Sequence, residues 1–147
     1  MPFGIHALGP DDIDRLLAAE GLFDHPPRPD WAQKFLDSAH HHILIAYVDD
    51  EPAGFVSGVE TTHPDKGTEM FLYELGVAEP HRRQGIGRAL VEELGRLAAS
   101  QGCYGMWVAV EPANDPALST YRSSGSNEGE KSVLLSWEFS PADTGPT

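Results

Sequence analysis

The chain has 147 residues, 40% of them hydrophobic, and sets 10 Lys plus Arg against 23 Asp plus Glu for a formal net charge of −13. That length suits one domain over residues 1–139 with a core of useful size, followed by a disordered tail over 140–147. The acidity excludes the broad positive stripe that extended nucleic acid requires, and no apolar run approaches the length of a membrane span.

In chain order, residues 4–8 read as a short strand ended by Gly9-Pro10, after which Asp11 or Asp12 caps a helix with Ile13, Leu16 and Leu17 at helical spacing. Beyond the Pro-rich run His25-Pro-Pro-Arg-Pro29, Asp30 is expected to cap a second helix with Trp31, Phe35 and Ala39 on its apolar face. Residues 43–48 and 53–59 are β-rich runs joined by Asp49-Asp50-Glu51-Pro52, the pattern of a hairpin. Residues 68–78 form a long strand, with Phe71, Tyr73, Leu75 and Val77 on one face and Met70, Leu72, Glu74 and Gly76 on the other. The Glu74 carboxylate then falls among apolar neighbours. From Gln84 a helix aligns Ile86, Leu90, Leu94 and Leu97, turns Glu92, Glu93 and Arg96 to solvent, and stops at Gly102. Residues 103–110 read as a buried strand, Pro116 stands in the first turn of another helix, and residues 132–139 close the sheet.

Chemistry concentrates in one run, Leu75-Gly-Val77-Ala-Glu-Pro-His-Arg82-Arg-Gln-Gly85-Ile-Gly87-Arg-Ala-Leu90, where a strand enters an Arg/Gly-rich turn that opens a helix. Glycines let the backbone approach an anion, and the first N–H groups of the helix have no partners within it. Arg82, Arg83 and Arg88 are three of the chain's ten cations, gathered within seven residues. A basic island in an acidic chain suits a small polyanion, while the acidic remainder suits a cationic second ligand or simply solubility. The P-loop is excluded because no Gly-Lys-Ser/Thr follows the glycines, and the dinucleotide fingerprint fails because Leu90 stands where Gly or Ala is needed.

The spacing Val77, four residues, then Arg82-x-x-Gly85-x-Gly87 resembles the acyl-coenzyme A loop of the GCN5-related N-acetyltransferase (GNAT) family. Asn114-Asp-Pro-Ala-Leu-Ser-Thr-Tyr121-Arg-Ser-Ser-Gly125 is similar to that family's later motif, and the resemblance as a whole covers residues 54–139. Within the family, Phe71-Leu-Tyr-Glu-Leu-Gly-Val77, His81-Arg-Arg-Gln-Gly-Ile86 and Asp115-Pro-Ala117 look most like the type I aminoglycoside 3-N-acetyltransferases. Ser126 departs from the apolar residue usual after the motif glycine, and Asn114 stands where that subfamily favours an acid.

The resemblance implies an α/β (α+β) fold: a mixed, mostly antiparallel sheet of six to seven strands, about four flanking helices, and central strands that splay apart. It implies transfer of an acetyl group directly from acetyl-CoA, with no metal, to an amine of a small polycationic acceptor. An aminoglycoside antibiotic is the preferred class. A polyamine or other metabolite amine is the near alternative, and a non-catalytic acyl-CoA-binding regulatory module the one from another class. Cofactor contacts are implied at Leu75, Val77, Arg82, Arg83, Gln84, Gly85, Ile86, Gly87, Arg88, Ala89, Asn114 and Tyr121. The Val77 N–H is implied to receive developing negative charge, and Tyr121 to act as general acid toward the leaving thiolate.

An ammonium acceptor must lose a proton to a base. Glu111, at the end of the strand Trp107-Val-Ala-Val-Glu111, is the first choice, and Glu74 the second. Glu74, Glu111 and Asp115 are also the acids expected to meet the cationic acceptor. Cys103, the one cysteine, forms no internal disulfide and reads as a small core residue, not an acyl carrier. His40, His41, His42, His63 and His81 lack ligand spacing for a metal and read as exposed loop residues. The start Met-Pro-Phe-Gly-Ile-His has no secretory-leader pattern, so a cytoplasmic setting is expected. No exposed apolar stripe is evident from which to derive a partner surface, although the resemblance allows a homodimer.

Overall fold

The computed structural model describes residues 2–139, so the tail expected over 140–147 lies outside the described residues. Five strands, β1 (Gly4–Ala7), β2 (His41–Val48), β3 (Glu51–His63), β4 (Gly67–Val77) and β5 (Met106–Trp107), lie in sequence order across one sheet. All neighbours are antiparallel except β4 and β5, which are parallel. Four helices flank them: α1 (Ile13–Ala18), α2 (Pro29–Asp37), α3 (Ile86–Ser100) and α4 (Asp115–Ser123).

The strand count falls short of the expected six to seven for two reasons. Residues 103–110 contribute only Met106–Trp107 to the ladder, and Trp107 is exposed, so the buried strand expected there is not formed. Residues 132–139 lie outside any strand.

Two apolar clusters cover the two faces of the sheet. On one, Leu90, Leu94, Ile86 and Val91 of α3 pack against Val56, Met70, Leu72 and Leu44. On the other, Leu16, Ala32 and Leu36 of α1 and α2 pack against Ile43, Ile45 and Phe55. Glycines in β3 let α3 approach closely. A Cβ on Gly54 would stand 3.2 Å from Ile86 Cγ2, and one on Gly58 would stand 2.8 Å from Met70 Sδ and 3.1 Å from Leu94.

Local chemistry shifts several expected boundaries. The β2–β3 turn is the two-residue Asp49-Asp50, at φ 50° and 65°, while Glu51 and Pro52 already pair with β2. Positive φ at both positions gives the turn hand that matches strand twist. Asp12 accepts from Gly9 N–H at 2.7 Å and so closes the preceding turn, with no side-chain cap on α1. Helix α2 begins at Pro29 after Arg28, so Asp30 is inside the first turn, where both its oxygens receive the Arg28 guanidinium. That guanidinium lies 3.8 Å over the Trp31 ring. Trp31 therefore stays at the surface, and the buried face of α2 is Ala32 and Leu36, one position beyond the expected Trp31, Phe35 and Ala39.

Strand β4 carries the departure with most consequence for function. Ser57 pairs with Glu74 but Gly58 pairs with Leu72, so Tyr73 is an extra residue opposite no partner. Such a bulge resets the alternation. Leu75 and Val77 thereby join Met70 and Leu72 on the α3 face, whereas strict alternation puts them opposite. Glu74 and Gly76 take the α1–α2 face, where Gly76 lies against the Phe55 ring.

Because the space at Gly58 is already filled, Gly58→Ala should overpack the α3 face and lower the unfolding free energy by about 1–3 kcal/mol. A urea titration followed by circular dichroism checks this; an unchanged midpoint would show that α3 can retreat freely from the sheet.

Candidate functional site

Strand β4 ends at Val77, passes through a 3₁₀ turn at Glu79–His81, and reaches α3 through Arg82 to Gly85. Gly85 adopts φ 83°, and a Cβ built there would meet nothing within 4 Å. Its glycine is required by backbone conformation, and the space above it is open. Arg83 also lies in the left-handed region, at φ 63°, so two of three consecutive residues bend the chain into a concave turn. Among the described residues, no N–H from Arg83 to Arg88 donates within the chain; the first to do so is Ala89, to the Gly85 carbonyl at 3.0 Å. Gln84 and Gly85 are exposed, while the Ile86 side chain is buried and leaves only its N–H for a ligand. Free N–H groups, an open concavity and a helix N-terminus fit a bound anion.

The arginines divide the work. Arg82 donates from Nε to the Val77 carbonyl at 3.0 Å and so ties the turn to the strand end. Arg88 reaches Glu92 along the helix at 3.4 Å. Arg83 makes no ion pair among the described residues. Gly87 serves packing: a Cβ there would approach Thr120 Cγ2 at 3.4 Å and Val77 Cγ2 at 3.7 Å. This close approach brings the ends of β4, α3 and α4 together, and Thr120, unremarked in the sequence, stands at the junction.

Beside this junction the sheet opens. Strands β4 and β5 pair only at Met70–Met106 and Phe71–Trp107. From Leu72 onward β4 has no ladder partner on that side among the described residues. Tyr121 packs against the α3-face cluster together with Leu75, Val77 and Val108. Burial raises its phenol pKa above the ordinary 10.0, so the hydroxyl holds its proton at neutral pH. Asn114 caps α4 by accepting from Ala117 N–H at 3.2 Å, and its own N–H bonds the Glu111 carbonyl at 2.9 Å. Glu111 and Asp115 are exposed on this turn. Glu111 does not end a strand, since β5 stops at Trp107.

A family model described as the Acetyltransferase (GNAT) family matches residues 11–125. The chain belongs to this family. Among solved structures, a soil-metagenome aminoglycoside acetyltransferase superposes at TM-score 0.80 with 28% identity, covering 94% of this chain and 100% of that one. Another soil-metagenome aminoglycoside acetyltransferase, solved with sisomicin, reaches TM-score 0.86 at 20% identity, over 94% and 97% of the two chains, and supports the fold. The mycothiol acetyltransferase of Segniliparus rotundus is 33% identical over 133 residues, which is 80% of this chain and 48% of that protein. The ribosomal protein bS18-alanine N-acetyltransferase of Escherichia coli K12 is 37% identical over 60 residues, 41% and 40% of the respective chains. The chain thus spans about half or less of the length of the curated relatives it matches.

Within this GNAT fold, the opposite face of β4 carries the acids. Glu74 is paired in register with Ser57, whose buried hydroxyl has no hydrogen-bond partner among the described residues. The Glu74 pKa is raised, first by partial desolvation and second by repulsion from Asp24. Sequence patterning pointed to Glu74 but missed Asp24 and Ser57, because their proximity comes from the α1–α2 connection folding over β3 and β4. Two acids and an unpaired hydroxyl on one face suit a cationic ligand.

The other titratable groups stand apart from this site. His41 and His42 lie in β2 and His63 ends β3, so these three are strand residues and not the loop residues expected; His42 meets Glu60 at 2.6 Å and His63 meets Glu69 at 2.8 Å. Cys103 is partly buried beside the core, and desolvation followed by the Glu60 charge raises its thiol pKa. A cleft of about 290 Å³ beside His6, Tyr47 and Asp50 opens at the β1–β2 edge, away from the Arg/Gly turn. Among the described residues no cluster could hold a metal, and no helix is long and apolar enough to cross a membrane.

An acid whose folded pKa lies above its unfolded value holds a proton that the unfolded chain releases, so stability falls as pH rises from the ordinary 4.5 through the raised value. Glu74→Gln removes that penalty. Thermal melts should show the variant more stable than the parent at neutral pH, with the difference vanishing below pH 4.5; a difference that persists in acid would locate its cause elsewhere.

Proposed function

We propose that this GNAT protein is an acetyl-CoA-dependent N-acetyltransferase acting on a small polycationic amine, with an aminoglycoside as the preferred acceptor class. The observation that carries this reading is the pairing of two opposite electrostatic sites across one strand. The Arg83–Arg88 amides lie beyond one end of β4, and Glu74 with Asp24 lies on its α1–α2 face. The aminoglycoside acetyltransferase at 28% identity, matched over its whole length, supports the acceptor class. The diaminobutyrate acetyltransferase of Streptomyces anulatus, 30% identical over 98 residues, keeps a smaller diamine metabolite as the second reading.

Acetyl-CoA supplies an activated acyl thioester when bound. Backbone N–H groups from Arg83 to Arg88 bind its diphosphate, with Arg83 adding charge and Arg82 holding the turn against Val77. The edge of β4 left without a ladder partner beyond Phe71 would receive the extended arm toward the Val77 N–H, a fixed donor for charge that develops on the acyl oxygen. Gly87 lets Thr120 and Val77 close on it beside this edge. Glu111 takes the proton from the attacking ammonium, and Glu74 with Asp24 and Asp115 orients the remaining positive charges of the acceptor. Tyr121, whose phenol pKa is raised further by burial, would donate its own proton to the departing thiolate and regain one from solvent.

Thiol release from acetyl-CoA, measured over aminoglycosides, polyamines and diamino acids, tests the reading directly. Turnover should be highest with an aminoglycoside; binding of acetyl-CoA without release for every amine would leave a non-catalytic acyl-CoA-binding module.

Two substitutions separate the roles. Arg83→Glu should weaken acetyl-CoA binding in calorimetry while leaving the Arg82–Val77 tie intact, so unchanged affinity would remove the turn from the site. Tyr121→Phe should lower kcat by about 10²-fold or more, the range of a lost general acid, with affinity for acetyl-CoA retained.

A further inference from the structure

The apolar cluster under α1 and α2 draws on β2 and β3 but on no residue of β4 or β5. That half of the sheet face is bare among the described residues, and it is aromatic. Phe71 and Trp107 are register partners on neighbouring strands, with ring centroids 4.3 Å apart and planes 32° from parallel. Tyr73 follows at 5.5 Å from Phe71. Tyr73 is 68% exposed and Trp107 49%. Strict alternation along β4 would set Glu74 on the opposite face from Phe71 and Tyr73. The bulge instead leaves Tyr73 and Glu74 together between Leu72 and Leu75 of the α3 face, so the aromatic row runs directly into the acid. An exposed apolar stripe thus exists that the sequence pattern concealed.

Glu69 holds the far end of the row. His63 Nε2 meets its Oε1 at 2.8 Å, the Tyr104 hydroxyl donates to its Oε2 at 2.9 Å, and the Trp107 indole N–H donates to the same carboxylate. An exposed indole tied by its N–H keeps one orientation, so little side-chain freedom remains to be lost when a ligand stacks on it. Acids therefore stand at both ends, Glu69 at one and Glu74 with Asp24 at the other. This suits a cationic, flat-faced ligand: ammonium groups meet the acids, and the C–H faces of a saturated ring lie on the aromatic rings. A second copy of the chain would bring a net charge of −13 to the same acids and is disfavoured. From Phe71 to Val77 the strand spans about 20 Å, a distance that linked rings bridge and a single ring does not.

We propose that Trp107, Phe71 and Tyr73 form the specificity-determining platform for the amine ligand, on which a ring remote from the reacting amine stacks while Glu74 and Asp24 take an ammonium group. Glu69 is a positioning residue that holds the Trp107 ring flat against Phe71. The platform selects amines built of linked saturated rings over linear polyamines, which offer no flat face to stack. The proposal rests on the amine-acetyltransferase reading above and is tested by binding, apart from turnover.

Sisomicin, a multi-ring amine, and spermine, a linear one, are the probes, titrated by calorimetry with and without free coenzyme A, which has no acyl group to transfer. Trp107→Ala and Tyr73→Ala should each weaken sisomicin binding by about tenfold and spermine binding by about twofold or less. Trp107→Phe should recover most of the affinity. Tyr73 is exposed enough that its replacement keeps the helical circular dichroism, so the proposal stays testable even if Trp107→Ala fails to fold. In a Trp31→Phe, Trp137→Phe background, sisomicin should change the emission of the remaining indole and spermine should not. Equal losses for the two amines, unchanged sisomicin affinity in the variants, no sisomicin binding to the parent protein in either condition, or an unmoved indole emission would each overturn the proposal. Sisomicin binding that depends on Trp107 and Tyr73, with no thiol released from acetyl-CoA, would overturn the transfer reading while bearing out the platform.

Discussion

A single extra residue in one strand governs how this molecule is arranged. Because Tyr73 has no partner on β3, the faces of β4 exchange halfway along. Without it, Leu75 and Val77 would leave the α3 cluster and Glu74 would enter it, burying a carboxylate against Leu90 and Leu94 at a cost no nearby cation could offset. With it, β4 delivers apolar packing to α3 along its whole length and still presents an acid to the opposite side. The same strand leaves β5 after two pairs, so the irregularity and the opening of the sheet occur at neighbouring positions.

The charge distribution follows from this geometry. Under the proposed function, a net charge of −13 repels the diphosphate at long range, so capture would rest on short-range donors such as the unpaired amides at the start of α3. An acidic molecule attracts cations without special arrangement, and the proposed acceptor face on the α1–α2 side would need only to orient what arrives. Glu74 and Asp24 are close enough to repel each other, and two amines of one acceptor would relieve that repulsion. One strand thus separates two fields of opposite sign.

Much of this could be read from the sequence. The glycine-rich turn, the 3.6-residue stripe of α3, the hairpin at Asp49-Asp50 and the start of α4 at Pro116 are local features, set by residues within a few positions of each other. One departure is also local: Arg28 occupies both Asp30 and the Trp31 ring, which rotates the buried face of α2 by one residue, a side-chain pairing that helical periodicity does not reveal. The others arose where distant segments decide. The bulge at Tyr73 depends on the register with β3, although the three-residue step from Leu72 to Leu75 was its trace in the sequence. The expected closing strand over 132–139 has the right composition but no partner within the described chain. Asp24 and Ser57 belong to the acidic face only through packing, and no spacing rule would join them to Glu74.

Cys103 adds a practical consequence. Its thiol is partly covered and held in the protonated form by desolvation and by the neighbouring Glu60 carboxylate, which disfavours the thiolate that reacts with disulfide and maleimide reagents. The protein itself should therefore contribute a slower background than an unperturbed cysteine would when free coenzyme A is counted by a colorimetric disulfide reagent.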